Sequence, residues 1–135
     1  MSREKNQYGA KRWLATARDD FKAAELLMKN KMFAHSCFLF RQSAEKALKA
    51  FWYLEGLDPW GHSILRLIKE FPQKRPFLSK LKYAAAFLDK FYIPTRYPNS
   101  LPELIPSQIY TQREAHSSRK EALKILESLK GAIPY

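Results

Sequence analysis

Apolar residues recur at three- and four-residue steps along most of this chain, and no other feature restricts its fold as tightly. Ala10, Trp13, Leu14, Ala17, Phe21, Ala24 and Met28 form one stripe, and Phe33, Cys37, Phe40, Ala44, Ala47, Leu48, Phe51 and Leu54 a second. A period near 3.6 gathers such residues on one face of an α-helix, whereas a half-buried strand needs a period of two. The spacing predicts helices over about Tyr8–Lys29 and Phe33–Leu54, joined by a short Lys-Asn-Lys turn. Gly56 and Pro59 in EGLDPWG end the second. A shorter third helix starts at His62 or Ser63, where the hydroxyl can cap free backbone N–H groups, carries Ile64, Leu65, Ile68 and Phe71, and stops at Pro72. A fourth begins near Pro76, with Phe77, Leu81, Ala84, Ala85, Leu88 and Tyr92 on its inner face. Thr111-Gln112-Arg113-Glu114 is a capping-box pattern that opens the last helix, whose stripe is Ala115, Ala122, Ile125, Leu126 and Leu129, with Gly131 as its stop.

These elements predict an all-α fold: an up-and-down four-helix bundle with one extra short helix, five in all, in a single domain over residues 1–135. One connection breaks the pattern. FYIPTRYPNSLPELIPSQIY, residues 91–110, holds prolines at Pro94, Pro98, Pro102 and Pro106. Proline removes a backbone donor and disfavours helix in the residue before it, so this long loop before the last helix is expected to be extended or turning. Its apolar side chains, among them Ile93, Leu101, Leu104, Ile105 and Tyr110, predict that it packs along the bundle as a strap. Arg96, between Tyr92 and Tyr97, would then be held rigidly for a ligand or a second subunit.

Composition narrows the classes further. No apolar stretch reaches the roughly 18 residues of a membrane span, and the first residues lack the apolar centre of a signal peptide. The single cysteine leaves no internal disulfide and fits a reducing compartment. The expectation is a soluble cytoplasmic protein. Its formal charge is +11, from 24 basic and 13 acidic residues. Residues 61–90 hold seven basic and two acidic residues, the largest local surplus. Such a field attracts polyanions such as RNA or nucleotides, or an acidic partner, and it equally serves solubility.

The usual chemical signatures are absent from the sequence. His35, His62 and His116 are far apart, no Cys/His pair has zinc spacing, and no glycine-rich phosphate loop occurs, so no metal and no cofactor is expected. Cys37 falls in an apolar stripe and reads as a buried, inert thiol. Asp19 and Asp20 read as a solvated helix face rather than an acid–base pair. The second helix is more informative. Phe38, Gln42, Glu45, Lys49 and Trp52 follow one another at steps of four, three, four and three, and so share a face. Amide, carboxylate and ammonium groups between aromatic rings can contact a nucleobase and its phosphate. Glu45 and Lys49 also have the orientation of an ordinary surface ion pair. His62 can serve as a ligand-facing imidazole or as a group bonded at the helix start.

The segments FLFRQSAEKALKAFWYLEG, WGHSILRLI, LDKFYIPTRYPNS and IYTQREA occur in an order and spacing that resembles the HEPN domain family. The resemblance implies a five-helix bundle that forms a homodimer and pairs with a minimal nucleotidyltransferase of the MNT type, in a module resembling toxin and antitoxin. Many HEPN proteins are RNases with an Arg-x4-6-His motif. Here the required positions hold Met28, Lys29 and Asn30 before His35, Glu55, Gly56 and Leu57 before His62, and Ile109, Tyr110 and Thr111 before His116. Without that spacing, arginine and histidine are not placed to stabilise a scissile phosphate and transfer its proton. The match is instead to a branch with an Arg-Tyr-Pro loop proposed to bind nucleotides. Its pattern falls on Gln42, Glu45, Lys46, Lys49, Gly61, His62, Ser63, Tyr92, Arg96, Tyr97 and Pro98. Arg41, Ser43 and Asn99 depart from it.

The leading expectation is a non-catalytic nucleotide- or RNA-binding helical protein acting with that nucleotidyltransferase. Gln42, Glu45, Lys49, His62, Tyr92, Arg96 and Tyr97 form its binding or interface group. Two readings compete with it: a dimerisation and interaction module without a ligand, and a metal-independent RNase that assembles a rearranged site from His62 and Arg96.

Overall fold

The structure, a computed structural model, describes residues 2–92 and 103–133. Helix α1 spans Arg3–Lys29 and α2 spans Phe33–Leu54. Ser2 caps α1, its hydroxyl accepting from the Lys5 N–H at 3.2 Å. That first turn is polar, so an apolar pattern sees the helix only from Tyr8 onward. Helix α3 spans Ile64–Lys69 and opens as expected on Ser63, whose hydroxyl accepts from the Arg66 N–H at 3.1 Å. The expected fourth helix is two pieces, α4 over Pro76–Ser79 and α5 over Lys82–Asp89. At the break the Leu81 N–H donates to the Leu78 carbonyl at 2.9 Å. This tighter turn lets both leucines point into the core, where both are buried. Tyr92 consequently lies beyond α5 rather than on it.

Near the chain's end, residues Pro106–Ile109 form one helical turn, α6, within the segment expected to be extended or turning. Pro106 sits at its first position, where the missing N–H costs nothing. Helix α7 spans Gln112–Ala132 and so runs through Gly131 instead of stopping there. Thr111 stands at the N-cap position, but its hydroxyl bonds the Glu114 carboxylate rather than a backbone N–H. Leu104 and Ile105 are exposed, against the expectation that this segment's apolar residues lie on the bundle, whereas Tyr110 does pack, edge-on to Phe91 at 5.9 Å. Arg96 and Tyr97, with the rest of 93–102, lie outside the described residues.

Helix α2 is the central element, touching α1, α3, α5 and α7. Ala10, Ala17 and Ala24 of α1 and Ala44 and Ala47 of α2 are buried, small side chains that let two long helices approach closely. Phe21 and Phe40 meet edge-on at 5.0 Å between them. From α7, Ala122, Ile125 and Leu129 complete the main core, and a smaller cluster forms around Cys37, Phe91 and Ala115. Among the described residues there is no strand, and no helix is long and apolar enough to cross a membrane.

Candidate functional site

At about 100° per residue, Phe38, Gln42, Glu45, Lys49 and Trp52 fan across roughly a quarter of the helix circumference, with Gln42 at one margin and Trp52 at the other. Arg41 lies just past the Trp52 margin, facing the loop that leads into α3. Its side chain is the largest fully buried one among the described residues, at 1% exposure for the residue. Nη1 donates to Glu45 Oε1 at 2.7 Å. Nη2 donates to the His62 backbone carbonyl and stands 3.4 Å from Asp89 Oδ1. The other Glu45 oxygen meets Lys49 Nζ at 2.9 Å and His62 Nδ1 at 3.2 Å. Asp89 gathers the loop from the far side, accepting from the Ser63 hydroxyl at 2.9 Å and from the N–H groups of Ile64 at 2.9 Å and Leu65 at 3.0 Å.

Arg41 and Lys49 thus face Glu45 and Asp89, two cations against two carboxylates. Burial alone would push the Glu45 carboxyl up. The hydrogen bonds and charges of Lys49 and Arg41 outweigh it and hold the group below its ordinary value. Such a network adds little net stability over apolar packing of the same volume, but removing one member leaves a buried charge unanswered. Its structural product is a fixed loop. Gly61, at φ 85°, makes the turn that a side chain would strain, and the carbonyl and amides of residues 62–65 are tied to α2 and α5.

The loop carries an imidazole whose side chain is 62% exposed. His62 stacks on Tyr92 at 5.4 Å between centroids with planes 20° apart. The Arg41 guanidinium lies 4.5 Å over the same ring, and Phe38 stacks with it at 6.1 Å. Beside His62, Trp52, Trp60 and Arg66 line a cavity of about 70 Å3. At roughly 10–15 Å3 per water this admits a few solvent molecules and no nucleotide. Beside it the His62 imidazole and the Trp60 ring are exposed, while Lys49 is largely shielded.

Of the residues singled out in the sequence, Glu45, Lys49, His62 and Tyr92 come together. Gln42 does not. It donates to Asp20 of α1 at 3.3 Å, beside a Lys46–Asp20 ion pair at 2.8 Å. Asp20 therefore ties α1 to α2 rather than forming part of a purely solvated face. The Glu45–Lys49 pair is mostly shielded from water rather than an ordinary surface pair. Arg96 and Tyr97 lie outside the described residues. Arg41 and Asp89, which organise the network, were not among the predicted site residues. The Arg41–Glu45 spacing of four was a visible signal, whereas Asp89 reaches the loop across 24 to 26 residues and left none. Cys37 is fully buried, and burial raises its thiol to about 11. Among the described residues no three His, Cys, Asp or Glu side chains are grouped to hold a metal ion.

The family profile of the HEPN domain matches residues 10–132. The chain belongs to the HEPN domain family. Solved structures share its architecture across nearly the whole length. TT1696 from Thermus thermophilus is 38% identical, with a TM-score of 0.85 over 90% of this chain and 96% of that one. ST0689, an archaeal HEPN homologue, is 34% identical, with a TM-score of 0.78 over 93% of this chain and 98% of that one. An HEPN domain protein from Thermotoga maritima, tm0613, is 25% identical, with a TM-score of 0.65 over 90% of this chain and 96% of that one. No curated protein matches the chain.

Proposed function

We propose that this HEPN protein binds a nucleotide or RNA without cleaving it, on the surface around His62, Lys49 and Tyr92. It acts in this as a homodimer with a minimal nucleotidyltransferase of the MNT type, in a module resembling toxin and antitoxin. The observation that supports the reading is the exposed imidazole stacked on Tyr92 and mounted on a buried charged frame. An exposed side chain held this way is pre-organised for a ligand, because little freedom remains to be lost on binding. The exposed imidazole and the nearby Trp60 ring suit a phosphate with an adjoining base, and the Lys49 ammonium, held on Glu45, supports them by fixing the frame. Cleavage is not expected, because no arginine has the required spacing to a histidine. Of the described arginines near His62, Arg41 is buried with its charge already answered, and Arg66 is paired with Glu70 at 2.8 Å.

The test is a titration of ATP, other nucleotides and short RNA at low salt against wild type, His62→Ala, Lys49→Ala and Arg96→Ala. The expected result is weaker binding for the His62 and Lys49 variants, with RNA left intact. Binding that none of the three changes removes this surface from the role. Failure of wild type to bind any of them, with His62→Ala shifting the protein toward monomer in sedimentation, favours a pure interaction module.

A further inference from the structure

Away from that surface, between the end of α3 and the start of α5, runs an open cleft of about 540 Å3. Lys69, Lys74, Arg75, Lys80 and Lys82 line it, and no carboxylate does. All four lysines are exposed, and among the described residues none makes an ion pair. Arg75 is held by Glu55 at 2.6 Å. The two acids of residues 61–90 point elsewhere: Glu70 pairs with Arg66 at 2.8 Å, and Asp89 is turned into the frame under His62. The local surplus legible in the sequence is therefore concentrated in one concave place, where its self-repulsion favours any anion that enters.

The rest of the lining decides which anion. Ile68, Phe71 and Leu78, all nearly buried and so at its base, line it together with Pro76. Single-stranded nucleic acid binds through ring faces on which bases stack. The Phe71 ring is packed inward, stacked on Phe51 at 5.0 Å and edge-on to Trp52 at 5.4 Å, so the cleft offers a base no aromatic platform. An apolar base does nothing for a phosphate chain, but it accepts an aliphatic side chain, and lysine stems extend that surface while their ammonium groups stay in water. We propose that this cleft docks an acidic segment of a partner protein, with an apolar side chain between its carboxylates. The inference stands on residues separate from the proposed nucleotide surface and does not depend on it.

The test uses the full chain and a fluorescein-labelled peptide of alternating Glu and Leu, read by anisotropy. Controls are the same peptide with Ser for Leu and a short labelled oligo(U). Lys74→Glu/Lys80→Glu is expected to weaken peptide binding by about tenfold or more, with binding also falling as salt rises. His62→Ala is expected to leave the peptide affinity unchanged, which separates this cleft from the nucleotide surface. Absence of peptide binding to wild type, or unchanged binding to the double variant, overturns the proposal. Equal binding of the Ser peptide overturns the role of the apolar base. Tighter binding of oligo(U), lost in the same double variant, assigns the cleft to RNA instead.

Discussion

Two charged regions of this molecule use the same residue types in opposite ways. Beneath His62, Arg41 and Lys49 meet Glu45 and Asp89, and each charge is answered within hydrogen-bonding distance or close to it. In the cleft between α3 and α5, four lysines stand in water with no ion pair among the described residues. The first region is shielded and nearly neutral, so its charges hold backbone in place and would cost stability if broken. The second is exposed and uncompensated, so its charges contribute little to folding and act on whatever approaches. A net charge of +11 does not distinguish these two uses. Burial and the position of the carboxylates do.

The largest expected effect breaks the first region. Arg41→Ala leaves the Glu45 and Asp89 carboxylates short of a buried partner and is expected to cost roughly 3–5 kcal/mol in urea unfolding. A cost within experimental error would mean that the guanidinium is dispensable. Asp89→Ala removes the acceptor for Ser63, Ile64 and Leu65. It is expected to cost about 2 kcal/mol in the same measurement, comparable to a strong helix cap. Gly61→Ala follows at about 1–2 kcal/mol, since the backbone there is left-handed, and it should weaken ligand binding by moving His62.

Acid sharpens the comparison further. The folded Glu45 carboxyl is held below its ordinary value of 4.5, so its contribution is fully present above that value and is lost as pH falls through the folded one. The stability gap between wild type and Glu45→Gln is therefore expected to be widest near neutral pH and to narrow in acid, as followed by urea unfolding across that range. A gap independent of pH would remove Glu45 from the ionised network. The smallest effect on stability belongs to the second region. Lys74→Glu/Lys80→Glu should stay within about 0.5 kcal/mol of wild type while changing association with anionic probes.

Much of the fold was legible because apolar periodicity is a local signal. Both bounds of α2 and the end of α1 follow from it together with the turn residues between them, and the Ser63 cap follows from its hydroxyl. The split between α4 and α5 was not, since every residue there is compatible with helix and the choice is made by burying Leu78 and Leu81 together. At the site, Glu45, Lys49, His62 and Tyr92 could be named from spacing and family likeness, but their arrangement could not. Gln42 shares their face in sequence yet is drawn to Asp20, because its place at the helix margin points it toward α1. Asp89 was invisible for the same reason that it matters: it joins α5 to a loop distant in sequence.

A buried charged frame fixes the loop bearing His62. Hydrogen exchange at the Ile64 and Leu65 amides tests it most directly, since both donate to Asp89. Both are expected to exchange slowly in wild type and much faster in Asp89→Ala, with the amides of central α2 still protected. Exchange of the two amides in wild type at the rate of an open peptide would contradict it.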